Sequence, residues 1–316
     1  MKRYLAPIGG ALGMLVLILD GKTAMAGASE GLKMCLWTLI PSLFPFFVLS
    51  ILLTGNLAGS LFPAGILGGY PVGAQNVALA YRTGRLDLES ARGMLVFCNC
   101  AGPSFLFGIV GPLFSQWWVP WLLWGIHLLS ALALSGIVGI SRKRSVPSEN
   151  ASISLSFAVR KALSAMAGVC GWVILFRILM AFLDRWILWL LPDVQRLIIH
   201  GLLELSNGCL ELARIESEGL RFSIAALFLG FGGGCVMLQV ASVADKVPMP
   251  LYFPGKLFQG GFSYLLAGMA QFLFSPEHRC HLSPAAITIS AVICILSVVI
   301  LRKPEKRCSN PVPVGV

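Results

Sequence analysis

Long apolar runs separated by short polar or basic breaks dominate the chain, and the runs are too long and continuous for strands. Residues 4–19, 32–53, 121–140, 163–189, 257–274 and 284–301 are the uninterrupted ones, close to the ~20 apolar residues that carry a helix across a bilayer. Between them lie apolar stretches at 61–81, 95–113, 197–213 and 222–244, broken by glycine, proline or single polar residues. Such breaks are tolerated at membrane depth only where the freed backbone is buried in protein or lines a cavity. The pattern predicts an all-α, polytopic integral membrane protein with about eight to ten hydrophobic helical segments. A transmembrane barrel would instead alternate over segments of about ten residues.

Two of the interrupted stretches match. Gly68-Gly69-Tyr70-Pro71-Val72-Gly73-Ala74-Gln75-Asn76 and Gly232-Gly233-Gly234-Cys235-Val236-Met237-Leu238-Gln239 place Gly68/Gly232, Gly69/Gly233, Val72/Val236 and Gln75/Gln239 at one offset. Glycine-broken segments with a matched amide, one per half, predict two pseudo-repeats, each with a Gly-rich re-entrant hairpin and a broken helix, around a central site. In the first half the break falls at Gly102-Pro103, between Asn99 and Ser104, because proline removes a helical donor. Asn99 then either lines a cavity shared with the hairpin or bonds neighbouring helices together. In the second half Glu204 stands in an apolar run, followed by Ser206, Asn207 and Gly208. An acid at membrane depth is a functional candidate; the alternative is a carboxylate bonded to a helix N-terminus.

The expected solute site comprises Gln75, Asn76, Asn99, Glu204 and Gln239. Gly69, Pro71, Gly73 and Gly233 form the hairpin backbone, and Gly102, Pro103 and Ser104 the helix break. Amides suit a polar solute because each offers a donor and an acceptor. Glu204 would couple a proton or sodium ion.

Punctuation organises the rest. Pro41 and Pro45 predict a kink in the second span. Residues 141–162 form a basic cytoplasmic linker between membrane halves 1–140 and 163–303, with a tail at 304–316. Residues 4–19 follow Met1-Lys2-Arg3 and read as an uncleaved first span, although Ala24-Met25-Ala26 also suits a signal-peptide cleavage site. Trp117, Trp118, Trp121 and Trp124 mark an interfacial belt. His127 reads as a hydrogen-bonded packing residue, and His278 and His281 as solvated. The basic tail belongs inside, which makes the halves parallel, whereas an inverted repeat needs the tail outside unless another segment is re-entrant.

Composition excludes a soluble domain: 57% of the 316 residues are hydrophobic and 12% charged, against about 25% charged in ordinary globular chains. The net charge of +10 lies mostly between the apolar runs, as the positive-inside rule expects, without the basic, aromatic-interleaved stripe of a nucleic-acid binder. The nine cysteines are scattered, and the Cys98-Asn99-Cys100 pair has no accompanying histidine, so no metal site is expected. Without a Gly-x-Ser-x-Gly elbow, His-Glu-x-x-His, paired intramembrane aspartates or Walker A loop, neither an enzyme nor an ATP-driven pump is expected. No cofactor is expected. The expected partners are the lipid bilayer, a small polar solute or ion, and further copies of the chain or other membrane proteins, in a bacterial plasma membrane.

These motifs resemble the nucleoside-recognition or gate-domain family, which includes the membrane part of ferrous-iron transporter B and the spore-maturation membrane proteins. Within it the chain is most similar to sporulation integral membrane proteins of the YlbJ type. The resemblance rests on Pro41-Ser42-Leu43-Phe44-Pro45-Phe46, Gly69-Tyr70-Pro71-Val72-Gly73-Ala74, Phe97-Cys98-Asn99 with Gly102-Pro103, Gly201 to Gly208 with Glu204, and Gly233 through Val236 to Gln239. Cys235 stands where the family suggests a small hydroxyl residue. The resemblance implies a helical membrane protein with two gate repeats, and either a permease or a non-transporting assembly factor in spore-envelope formation. It does not imply nucleoside as the substrate.

Overall fold

The computed structural model describes residues 2–56, 61–139, 153–244, 246–274 and 283–302, all helix and connecting turns without a strand. Residues 141–152 of the linker, the tail, His278 and His281 lie outside the described residues. Fifteen α-helical pieces follow in order. They are α1 (Lys2–Leu19), α2 (Gly21–Met34), α3 (Ile40–Asn56), α4 (Leu61–Gly68), α5 (Val72–Arg82), α6 (Leu88–Phe97), α7 (Pro103–Phe105) and α8 (Val119–Val138). After the linker come α9 (Leu155–Trp186), α10 (Asp193–Leu203), α11 (Leu205–Glu211), α12 (Glu218–Phe231), α13 (Gly233–Ala244), α14 (Tyr252–Ala270) and α15 (Pro284–Leu301). Five helical stretches are long and apolar enough to cross a membrane: Gly21–Leu53, Val119–Val138, Leu155–Trp186, Glu218–Ala244 and Pro284–Leu301.

Some boundaries depart from the apolar runs. α9 starts at Leu155, inside the predicted linker, because Ser154 caps it by accepting from the Phe157 N–H. The basic residues Arg160 and Lys161 ride on its first turns. The second span begins at Gly21 rather than near residue 32, and Gly27 and Gly31 set α2 tightly against α9. A Cβ on Gly27 would lie 2.9 Å from the Ile178 Cα, the close approach that small residues allow in membranes. The kink expected from Pro41 takes the form of a widened π turn over Cys35–Leu39. There the Ser42 hydroxyl donates to the Thr38 carbonyl at 2.6 Å.

Two pairs of short helices pack against one another, α4 on α5 and α10 on α11. α4 and α5 meet around Gly69, and Gly65 and Gly73 both abut the Cys98 carbonyl so closely that neither position accepts a Cβ. α10 and α11 meet around Glu204, with Gly201 and Gly208 backbone to backbone. With 8 and 11 residues in one pair and 11 and 7 in the other, no member is long enough to cross alone.

The glycine stretch at 232–234 behaves differently from its expected counterpart. α12 and α13 run on as one 27-residue apolar segment, broken at Gly232 (φ +84°) and Gly233 (φ +83°) without folding back. In the second half the packed pair of short helices meets at Glu204. The first broken helix matches its expectation: α6 ends at Phe97, residues 98–102 are unwound, and Pro103 starts the continuation. The core between these breaks is built from α8, α12 and α14, with α15 against the outer side of α14.

Candidate functional site

The breaks converge on a small cavity of about 40 Å³. Gly69, Tyr70, Gly102 and Ser104 line it from the first half, and Glu204, Ser206 and Gln239 from the second. Apolar side chains of α3, α9 and α13 complete its lining. The cavity is small and partly open, with room for water or a small ion.

Glycine geometry brings the two walls together. Gly69 has φ +68°, and a Cβ there would lie 2.9 Å from the Gly102 nitrogen, so the first fold-back rests directly on the unwound end of α6. Tyr70 then joins the halves: its hydroxyl donates to the Leu229 carbonyl at 3.0 Å and lies beside Gly232.

Glu204 is 1% exposed and caps α11. Its carboxylate accepts from the Ser206 N–H at 3.0 Å, the Asn207 N–H at 2.7 Å and the Asn207 amide nitrogen at 2.7 Å. The helix-cap alternative therefore describes its contacts, and the same residue faces the cavity. Both follow from one geometry, since a helix N-terminus pointing into a cavity carries its anionic cap there.

Among the other expected site residues, Gln239 lines the cavity, and its amide nitrogen donates to Cys235 Sγ at 3.3 Å. Gly69, Gly102 and Ser104 line it too, while Gly233 packs against the α10–α11 turn. Gln75 and Asn76 are half-buried on α5 and do not line the cavity, and neither do Pro71, Gly73 and Pro103. Asn99 is fully buried outside it, its side-chain amide donating to the Tyr252 hydroxyl at 2.7 Å.

Asn99 leads to a residue the sequence reading overlooked. Lys256, on α14, is fully buried, and its ammonium donates to the Asn99 carbonyl at 2.6 Å and to Gln259 Oε1 at 2.8 Å. His127 Nε2 accepts from the Ala101 N–H at 3.0 Å, the hydrogen-bonded packing role expected of it. The signal for Lys256 was available: an ionisable residue three before a glutamine, in a sequence that is apolar on either side. Starting the span at residue 257 made it look like a flanking charge. No group of three or more metal-ligating side chains occurs among the described residues.

Away from the cavity, His200 on α10 bonds carboxylates through both ring nitrogens: Nε2 to Asp184 of α9 and Nδ1 to Glu211 of α11, each at 2.9 Å. Burial alone would lower its pKa, but the two carboxylates outweigh burial and raise it to about 9.

No family model matches the sequence. The chain is similar to the sporulation integral membrane protein YlbJ of Bacillus subtilis (strain 168), 22% identical over 310 aligned residues covering 77% of this chain and 76% of the relative. No solved structure matches it. With an integral membrane relative and several apolar helices, the chain is a multi-pass membrane protein.

Proposed function

We propose that the chain is a gate-domain carrier or channel-like permease, in which two inverted repeats pass a small polar solute or ion through the cavity. The observation that carries this reading is the origin of the cavity wall: each half contributes a fold-back and a broken crossing, with Gly69 and Gly102 from one and Glu204 and Gln239 from the other. Broken helices meeting between two repeats are how secondary carriers build a site at mid-membrane.

Element order supports a repeat in a register other than the glycine match. In the first unit α2–α3 is followed by the fold-back α4/α5, the broken α6–α7 and then α8; in the second α9 is followed by α10/α11, the broken α12–α13 and α14. The packing is reciprocal: α5 touches α13 as the continuation of α7 touches α11, and α6 touches α14 as α8 touches α12. Cys35/Cys170, Trp37/Trp172, Phe47/Phe182 and Gly73/Gly208 fall at a single offset, which sets Glu204 opposite Gly69.

Counting α6–α7 and α14 as crossings beside the longer apolar stretches, each unit has three if the fold-backs return to the face they left, and the second unit is then inverted. α1 and α15 stand outside the repeat. Among the described residues, Arg82, Arg85, Lys161, Lys246 and Arg302 then share one face, the bias the positive-inside rule favours. Asp184, Asp193, Glu211, Glu216 and Glu218 fall on the other, together with Arg185, Arg196 and Arg214.

The small volume of the cavity suits an ion or a compact polar solute. The test is a thermal-shift screen of the purified protein against monovalent cations, small polar solutes and nucleosides, followed by flux of any stabilising compound in proteoliposomes. Gln239→Ala is expected to abolish that flux while the variant remains folded; undiminished flux sinks the central-site reading. A second reading, a non-transporting scaffold of spore-envelope formation, is favoured by the relative's name. It predicts that cavity variants keep their function and that a partner co-purifies from native membranes.

A further inference from the structure

Lys256 is fully buried, and among the described residues no carboxylate lies within ion-pair distance of it. A buried ammonium is strongly destabilised unless acceptors surround it. The Asn99 carbonyl and Gln259 Oε1 take two of its protons, and the ring faces of Tyr70 and Tyr252 lie 5.5 and 5.7 Å from the nitrogen. Both distances are within cation–π reach.

The origin of these acceptors is informative. Asn99 belongs to the unwound segment 98–102, and carbonyls freed at a helix break are the groups that carriers present to a coupling cation. A further oxygen, Asn99 Oδ1, is buried there without a partner among the described residues. Oxygen ligands and aromatic faces around one positive charge, with no anion, are the chemistry of a monovalent-cation site. The remaining titratable neighbours are the buried thiols of Cys98 and Cys100 and His127, whose Nε2 is occupied as an acceptor; none supplies a permanent negative charge.

We infer that Lys256 occupies a monovalent-cation site at the break between α6 and α7, where its tethered ammonium replaces a free sodium ion. The site lies behind Tyr70, which also lines the cavity, so the fixed charge ties α14 to the broken helix next to the solute path. The consequence for coupling, that this break needs no sodium, rests on the carrier reading; occupancy of the site does not.

The experiment is thermal melting of the full-length detergent-purified protein in sodium chloride, ethylammonium chloride and choline chloride at equal ionic strength. Wild type is melted in the same three salts, so that stabilisation by a cation bound in the cavity is subtracted from each variant's response. Lys256→Ala is expected to melt lower in choline and to recover by about 3 °C or more in sodium or ethylammonium, which fit the vacated site. Lys256→Met, which retains most of the side-chain volume, is read in the same way should the alanine variant aggregate. The inference is overturned if neither cation raises the melting temperature of either variant, relative to choline, by more than it raises that of wild type. Aggregation of both variants in all three salts overturns it as well. No solute flux enters this measurement, so cation rescue alongside undiminished Gln239→Ala flux would remove the central-site reading and leave the Lys256 site standing.

Discussion

Gly69 and Gly102 pass one another backbone to backbone, with the Cα of Gly69 3.1 Å from where a Cβ on Gly102 would be. The contact joins the first fold-back to the first helix break, and the cavity opens beside it. Gly69→Ala meets two penalties, a left-handed φ and a collision with the Gly102 nitrogen; Gly102→Ala, at φ −73°, meets only the collision. Gly69→Ala is expected to cost about 2–4 kcal/mol and Gly102→Ala about 1–3 kcal/mol, read as lower melting temperatures in detergent. Equal stability of either variant and wild type would mean that the two backbones do not meet.

Glu204 separates structure from transport. Glu204→Ala leaves the Ser206 and Asn207 amides of α11 without their cap and is expected to cost about 2–3 kcal/mol. Glu204→Gln keeps an accepting oxygen and is expected to cost about half as much. A cap alone predicts that Glu204→Gln transports normally once folded. A coupling role predicts that flux loses its dependence on the ion gradient, which parallel flux assays with and without that gradient distinguish.

Much of this architecture could be read in the sequence because proline and glycine break helices by their own covalent chemistry. The break at Gly102-Pro103 and its meeting with Gly69 follow from that chemistry. The second fold-back was hidden for the complementary reason. Leu203-Glu204-Leu205 contains neither breaker, and the turn there is capped by a carboxylate whose partners lie two and three residues ahead. The glycines at 232–234 offered a stronger local match to 68–69, although they interrupt a crossing without reversing it. Lys256 escaped because its acceptor, the Asn99 carbonyl, lies 157 residues away. A carbonyl also leaves no trace in residue identity.

The His200 cluster predicts a pH dependence with a definite sign. α10 is too short to cross, and His200 links it to α9 through Asp184 and to α11 through Glu211. Its folded pKa of about 9 lies above the ordinary 6.5. The imidazolium's contribution is therefore complete below about pH 6.5 and is lost as pH rises through about 9. The melting temperature is expected to fall by a few degrees between pH 6.5 and 9.5, and His200→Gln should flatten that slope while lowering stability at pH 6.5. An unchanged slope in the variant would remove His200 as its source.

Inverted units make a prediction that parallel ones do not share. Thr83 follows the first fold-back and Glu216 the second, so inversion puts them on opposite faces of the membrane, whereas a parallel repeat puts both inside. Introduced cysteines at these positions, with Cys170, Cys280 and Cys308 replaced by serine, can be probed with a membrane-impermeant maleimide. The native thiols at 35, 98, 100, 209, 235 and 294 are buried, which limits background labelling. In intact cells Glu216→Cys is expected to label and Thr83→Cys to stay protected until the membrane is permeabilised. Protection of both would make the halves parallel. The shared offset of Cys35/Cys170 and Gly73/Gly208 would then describe sequence likeness without opposed orientation, and alternating access by rocking one unit against its inverted twin would no longer apply.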